Sequence, residues 1–279
     1  MENKNIVIQH YGDGEKEDRR CASSYTEWLE FQIVKKIMKN YISQTDKILE
    51  IGCSTGEYGL YFASLCEEYV GVDLTPSHID IFRKKIKKND LKNVSCQVGN
   101  AEHLEGIADK SFDVVCCFGP MYHLPPKERE LVFAECKRVC KDGGIISMTY
   151  RNKIGVYVGA CVHDRYREMY PKEITNRYLL DMGTEDWRPN LFYFTMPEEI
   201  ESVANKYELK KIRNSGINFL ITSSVLEQMD NEKRTAFMKL VDKMVEYESC
   251  TGMSDNAILV CQKGIKKKIL NSEELLIKN

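Results

Sequence analysis

Short apolar runs alternate with amphipathic segments between residues 47 and 150. The apolar runs are typical of strands buried on both faces, and the segments between them repeat apolar residues at helical spacing. The predicted strands are residues 47–51, 69–73, 94–98, 112–118 and 145–150. Helices are predicted at 57–67, from Thr75 onward and from Pro126 onward. This alternation indicates an α/β fold with a doubly wound, mostly parallel sheet and helices on both faces.

The flanking segments add further elements. Residues 1–25 are polar, and we expect them to be irregular, whereas apolar residues at spacing four predict a helix at 26–41. The alternation of strands and helices stops at residues 151–194, which indicates an insertion after the fifth strand. Beyond the insertion we predict a helix at 195–207, a strand at 209–213, a helix at 231–248 and a last strand at 257–262. The sheet then has seven strands.

This pattern divides the chain into three parts. Residues 1–44 form an N-terminal segment that either closes over a site as a lid or lies on the surface as an ordered tail. Residues 45–263 form the main domain, in which the 151–194 insertion would be a cap over the substrate. Residues 264–279 form a charged tail.

Composition narrows the function classes. The chain of 279 residues is 43% apolar and 29% charged, with a formal net charge of -2, so overall charge does not favour nucleic acid as a partner. The polar stretch 1–20 has no apolar leader core, and no apolar run approaches membrane-spanning length. We therefore expect a cytoplasmic protein, monomeric or homodimeric, whose 11 cysteines are free thiols. No C-x-x-C pair occurs, and we expect no metal site.

A glycine-containing loop, Glu50-Ile51-Gly52-Cys53-Ser54-Thr55-Gly56, follows the first predicted strand and precedes a helix. Glycine permits a tight turn there and lets a ligand approach the backbone closely. Asp73 ends the next strand, where its carboxylate can accept hydrogen bonds from ribose hydroxyls. The pair indicates an adenosine-type cofactor.

The loop departs from the motifs of two nucleotide-binding classes. A nicotinamide fingerprint requires G-x-G-x-x-G, but Ser54 and Glu57 stand at the second and third glycine positions. A phosphate-binding loop requires Gly-Lys-Ser/Thr, which is absent. Glu50 before the first glycine is unfavourable beside a pyrophosphate and favourable beside a cationic amino acid or sulfonium.

The chain resembles the class I, Rossmann-like S-adenosylmethionine-dependent methyltransferases. Glu50 to Gly56 is similar to their first motif, [D/E]-x-G-x-G-x-G, with Ser54 in place of the middle glycine. The resemblance implies Glu50 near the methionine half of the cofactor, Asp73 at the ribose, and Asn100 where an acidic residue often meets adenine. The cofactor-binding residues that it implies are Tyr11, Arg20, Glu50, Gly52, Cys53, Ser54, Gly56, Tyr58, Asp73, Leu74, Asn100, Ala101, Glu102 and Phe118.

A tyrosine and a histidine follow the fourth predicted strand, after a Gly-Pro pair that ends it. In open parallel sheets, ligands bind at the carboxyl ends of the strands. The run Gly119-Pro120-Met121-Tyr122-His123-Leu124 resembles a G-P-L-Y-H-L run of a bacterial branch of small-molecule methyltransferases. We therefore expect Tyr122 and His123 to be catalytic, while a purely structural role of His123 in holding the loop stays open. His78, at a helix start, is expected to be exposed.

The resemblance implies methyl transfer from S-adenosylmethionine, leaving S-adenosylhomocysteine, to a small-molecule acceptor. Aromatic residues of the insertion could build the acceptor pocket, but they could equally form a small core or a dimer interface. They are Tyr157, Tyr166, Tyr178, Trp187, Phe192 and Tyr193. An RNA or protein methyltransferase is a second hypothesis, which a positive potential around the pocket would favour. A catalytically silent cofactor-binding module is a third, which a pocket blocked by side chains would favour.

Overall fold

The computed structural model describes residues 2–162, 191–219 and 223–264. Most of the predicted insertion, with Tyr166, Tyr178 and Trp187, and residues 265–279 of the predicted tail lie outside the described residues. The described chain is organised around one sheet. Among the described residues, no helix is both long and apolar enough to cross a membrane.

A sheet of seven strands forms the centre, in the order β3-β2-β1-β4-β5-β7-β6. The strands are β1 (Lys47–Ile51), β2 (Glu68–Asp73), β3 (Val94–Val98), β4 (Phe112–Cys117), β5 (Cys140–Arg151), β6 (Leu209–Asn218) and β7 (Asn256–Lys263). The first five strands pair in parallel, and β7 runs antiparallel between β5 and β6. The predicted α/β fold with a mostly parallel seven-stranded sheet is confirmed.

Helices cover the sheet and precede it. They are α1 (Glu2–His10), α2 (Gly14–Asp18), α3 (Arg20–Ser23), α4 (Tyr25–Met38), α5 (Glu57–Phe62), α6 (Pro76–Lys88), α7 (Pro126–Val139), α8 (Lys153–Val162), α9 (Pro197–Lys206), α10 (Ser223–Gln228) and α11 (Asn231–Glu246). Short 3₁₀ turns lie at Lys39–Tyr41, Pro120–Tyr122 and Glu248–Met253.

Strand alternation divides the core into two layers. Ile48 and Cys116 point to the layer that α4, α5, α6 and α11 cover. Leu49 and Val115 point to the opposite layer, which α7 and α9 cover. Successive residues of a strand face opposite sides, so both faces of each central strand are apolar and the strand appears in the sequence as a continuous apolar run.

The N-terminal 25 residues are helical, and the prediction that they are irregular is wrong. Asp13 accepts a hydrogen bond from the Lys16 N–H at the start of α2, and Ser24 accepts one from the Glu27 N–H at the start of α4. Gly14 of α2 packs directly against Ser77 and Ile81 of α6. These helices are too short to show an apolar stripe, and their packing against α6 supplies stability that periodicity does not reveal.

The sheet changes direction of winding between β1 and β4. The chain proceeds outward from β1 to β2 and β3, and then returns to place β4 on the other side of β1. In open α/β sheets, ligands bind outside the carboxyl ends of the strands at such a point. Gly52 follows β1 here, and Phe118 and Gly119 follow β4.

Candidate functional site

The loop after β1 is shaped by two residues with left-handed backbone. Gly52 has φ 82°, and its N–H donates to the Val72 carbonyl at 2.7 Å. A Cβ atom on Gly52 would lie 2.3 Å from the Phe118 carbonyl oxygen, so only glycine fits. Ser54 has φ 48°, in the left-handed region that glycine adopts without strain. This explains why the motif that residues 50–56 resemble has glycine at this position.

Gly56 has a packing role. Its φ is 89°, and a Cβ atom on it would lie 2.1 Å from the Phe82 ring of α6. Gly56 lines neither of the cavities described below. The missing side chain serves the approach of α5 to α6, and a cofactor contact at Gly56 stays a prediction.

Asp73 organises the loop that it faces. One carboxylate oxygen accepts from the Ser54 N–H at 2.8 Å, and the other accepts from the Thr75 N–H at 2.8 Å. The side chain keeps 11% of its surface accessible, and it lines the first cavity. A carboxylate has about four acceptor sites, so Asp73 can hold both backbone groups and still accept from a ligand hydroxyl.

His78 is buried, and the prediction that it is exposed is wrong. Only 3% of its surface is accessible, because the N-terminal segment packs over the start of α6. Its Nε2 donates to the Tyr11 carbonyl at 2.8 Å, and its Nδ1 lies 3.4 Å from Asp73 Oδ1. Burial by itself lowers the pKa of His78, but the hydrogen bond and charge of Asp73 outweigh burial and raise it.

A first cavity opens at the carboxyl ends of β1, β2 and β4. Its lining brings together most of the predicted site residues. They are Tyr11, Arg20, Gly52, Ser54, Asp73, Leu74, Asn100, Ala101, Glu102, Phe118, Tyr122 and His123. Residues distant in sequence thus meet at the edge of the sheet that was predicted to bind ligand.

One end of this cavity lies beyond β3. The side-chain oxygen of Asn100 accepts from the Glu102 N–H at 3.2 Å, so it already turns the local backbone. The Glu102 carboxylate pairs with Lys4 of α1 at 2.7 Å. The N-terminal helices therefore reach across to the far end of the cavity.

Arg20 lies where α2 and α3 meet the glycine loop. It pairs with Glu17 and Glu27, each at 3.1 Å, and Ser54 Oγ donates to Glu17 at 3.2 Å. The Arg20 side chain keeps 45% of its surface accessible although protein surrounds it, because that surface faces the cavities. The N-terminal segment is thus a roof over the site that contributes a guanidinium to it.

Tyr122 and His123 form an aromatic corner of the first cavity. The His123 ring lies 5.2 Å from the rings of both Tyr11 and Phe192. Its Nδ1 contacts the Leu191 carbonyl at 2.7 Å. A carbonyl only accepts, so Nδ1 carries the proton and Nε2 is the basic nitrogen. Burial lowers the pKa of His123 to about 4, so the ring is neutral at neutral pH.

A second cavity lies on the other side of the glycine loop. It shares Glu17, Arg20, Gly52, Ser54, Phe118, Gly119 and Tyr122 with the first. The predicted residues Glu50, Cys53 and Tyr58 line it alone. Glu50 is 2% accessible, and its Oε2 has no hydrogen-bond partner among the described residues. Burial, together with the charge of Asp73, raises the pKa of Glu50 well above its usual range.

Glu17 and Glu30 are among the cavity residues that were missed from the sequence. Glu17 was hidden in a charge-rich stretch that carried no pattern. Glu30 did carry a signal, because it lies three and four residues before Ile33 and Val34 and therefore on the apolar side of α4. A carboxylate on an apolar helix stripe indicates a buried polar site.

Comparison with known proteins agrees with this geometry. Residues 48–144 match the family model described as "Methyltransferase domain". They contain the glycine loop, Asp73, Asn100 and the β4 edge. This is a class I methyltransferase domain. Its fold is that of a SAM-dependent methyltransferase from Methanosarcina mazei, with a TM-score of 0.54 at 18% identity over 82% of this chain and 98% of that one.

Two curated relatives of the methyltransferase domain extend the similarity. A ubiquinone biosynthesis O-methyltransferase of Pelagibacter ubique is 28% identical over 63% of this chain. An uncharacterized methyltransferase of Schizosaccharomyces pombe is 30% identical over 55% of it. The matched stretches cover 66% and 53% of those relatives' own lengths, so the acceptor of neither relative carries over to this chain.

Proposed function

We propose that the protein transfers a methyl group from S-adenosylmethionine to a small-molecule acceptor bound beneath the N-terminal helices. The observation that carries this proposal is the pair of adjoining cavities on either side of the glycine loop. One cavity offers the Asp73 carboxylate, and the other offers the unpaired, buried Glu50 carboxylate. The cofactor has a ribose diol in its adenosine half and an ammonium in its methionine half. The diol matches the Asp73 carboxylate, and the ammonium matches the Glu50 carboxylate.

The first cavity fits the adenosine half. Gly52 and Ser54 of the glycine loop line this cavity. Asp73 lies at the end of β2 with acceptor capacity left for ribose hydroxyls. Leu74 and Ala101 add apolar surface for a flat base, beside the amide of Asn100.

The second cavity fits the methionine half. A buried carboxylate without a partner is costly unless a cation neutralises it, and an amino-acid ammonium is such a cation. Arg20 presents its guanidinium to both cavities, where it can bind the carboxylate of the same amino acid in a fork. Glu50 and Arg20 would thus orient the two charged groups of the methionine half.

When bound, S-adenosylmethionine supplies an electrophilic methyl carbon on a positively charged sulfur. The chain's own residues must align an acceptor with it and exclude water. Phe118 and Tyr122 line both cavities and therefore lie between the two halves of the cofactor site. His123 places its basic Nε2 at the same corner, where it can accept a hydrogen bond from an acceptor.

Calorimetry with S-adenosylmethionine and S-adenosylhomocysteine tests the cofactor assignment, and we expect micromolar dissociation constants. Incubation with methyl-labelled cofactor and a metabolite extract, followed by mass spectrometry, then tests the acceptor class. A labelled product of low molecular mass supports the proposal. Absence of cofactor binding contradicts it, and so does binding with label appearing only in RNA, only in protein or in no product.

A further inference from the structure

Glu30 of α4 lies in the wall of the second cavity, away from the part of the chain that matches the methyltransferase family. Glu30 is half-buried, and it lines this cavity. One carboxylate oxygen accepts from Asn256 Nδ2 of β7 at 2.9 Å. The side chain is thus held in place while its remaining acceptor positions face the cavity.

The charged groups around Glu30 are mostly acidic. Glu27 comes from the same helix, and Asp255 comes from the turn before β7, while Arg20 of α3 opposes them. Burial, reinforced by the charge of Glu27, raises the pKa of Glu30 to about 8. The partly buried phenols of Tyr58 and Tyr122 also interact with Glu30, and desolvation raises the pKa of both well above the usual range, so they stay neutral.

The cavity wall around this group suits a cation. The rings of Phe31 and Tyr58 lie 4.7 Å apart, and those of Tyr58 and Phe118 lie 5.0 Å apart, which makes a continuous aromatic surface. Aromatic faces attract ammonium groups. Glu50, which we propose binds the ammonium of the cofactor, lines the same cavity.

We propose that the methyl acceptor is an amine and that Glu30 binds its ammonium group and accepts its proton. This inference rests on the proposed function, because it names the acceptor of that same site. A cofactor of the methionine type brings one ammonium for Glu50, and Glu30 is a second carboxylate further along the cavity wall. The carboxylate and the aromatic surface together select a nitrogen nucleophile over a phenol or a carboxylic acid.

The reaction balances with the residues present. The acceptor ammonium loses one proton to the Glu30 carboxylate, which frees the nitrogen lone pair. That pair forms the new N–C bond with the methyl carbon, while the electron pair of the C–S bond passes to sulfur and leaves a neutral thioether. The positive charge moves to the methylated nitrogen, and Glu30 releases its proton to water after the product leaves.

A binding experiment separates this inference from the proposed function. The protein is saturated with S-adenosylhomocysteine, and calorimetry then measures binding of benzylamine and the smaller ethylamine, with benzyl alcohol as the neutral counterpart. We expect at least one amine to bind tenfold more tightly than the alcohol. Glu30→Gln should remove that preference, because glutamine keeps the hydrogen bond from Asn256 and loses the charge.

Glu246→Gln is the matched control, because Glu246 pairs with Arg213 at 2.8 Å and lines neither cavity. It should behave as wild type. Failure of S-adenosylhomocysteine to bind overturns the proposed function. Normal cofactor binding without a preference for amines, or a preference that survives in Glu30→Gln, overturns the role of Glu30 alone.

The acceptor atom gives a second test. Label from the methyl-labelled cofactor should appear on nitrogen in the product, and Glu30→Gln should lower kcat at least tenfold while the Kd of S-adenosylhomocysteine stays within twofold. In wild type kcat/KM should rise with pH as Glu30 loses its proton, and this limb should be absent in Glu30→Gln. A product methylated on oxygen, sulfur or carbon, or an unchanged pH profile, overturns the inference.

Discussion

The Nε2 atom of His78 donates a hydrogen bond to the carbonyl oxygen of Tyr11 at 2.8 Å. This bond joins α6, which begins beside the glycine loop, to the N-terminal segment that roofs the site. The other ring nitrogen lies 3.4 Å from Asp73, the carboxylate that holds the loop. One imidazole therefore connects the roof to the position proposed for the ribose.

Replacing His78 with alanine should weaken cofactor binding five- to tenfold, because the roof loses its hydrogen bond to α6 while every proposed cofactor contact remains. Calorimetry with S-adenosylhomocysteine measures the change, and limited proteolysis should show faster cleavage before residue 25. His103→Ala is the control, since His103 is exposed and lines neither cavity. Equal affinities for both variants would show that His78 does not act through the roof.

Gly52→Ala should abolish detectable cofactor binding, because its Cβ atom would lie 2.3 Å from a backbone oxygen that cannot move aside. Gly106→Ala is the control that separates the effect of this clash from the effect of backbone strain. Gly106 has φ 75°, close to that of Gly52, but nothing lies within 4 Å of its Cβ position. The Gly106 variant should lose about 1 kcal/mol of unfolding free energy and bind the cofactor normally.

Asp73→Asn should reduce cofactor affinity by roughly five- to thirtyfold, or about 1–2 kcal/mol, because the neutral amide keeps only one oxygen for the loop and the ligand. Titration calorimetry with S-adenosylmethionine gives the value. Asp80→Asn on the exposed side of α6 is the control and should have no effect. An Asp73 variant with wild-type affinity would refute the assignment of this residue to the ribose.

His123→Ala should lower turnover and leave the Kd of S-adenosylhomocysteine within twofold. His123 lies at the acceptor corner, whereas the proposed cofactor contacts come from Asp73 and the glycine loop. Single-turnover rates with labelled cofactor measure the chemical step. Full activity in this variant would leave His123 with the structural task of holding the loop to Leu191.

Acid should destabilise the protein partly through His123. Its folded pKa is about 4, below the ordinary value of 6.5, so its contribution is complete above pH 6.5 and is lost as pH falls towards 4. The loss should be on the order of 3 kcal/mol across that range. Urea unfolding at several pH values tests this, and His123→Gln, which does not titrate, should show a smaller decline.

The pattern of apolar and polar residues was enough to predict the parts of the fold and the site that depend on residues close together in sequence. Apolar runs predicted each strand of the sheet, with β6 extending to Asn218 beyond the predicted residue 213. The glycine loop and Asp73 were predicted as one site, because the carboxyl ends of β1 and β2 lie side by side in any parallel sheet of this order. Their positions follow from strand order alone.

Tertiary structure alone decided the rest. His78, which differs from expectation, and Gly56 owe their surroundings to packing between elements far apart in sequence, with Tyr11 and with Phe82. The short N-terminal helices form because α6 gives them a surface to cover. Glu30 becomes a cavity residue only because α4 lies over the glycine loop and β7, since burial and charge at one position depend on every element that surrounds it.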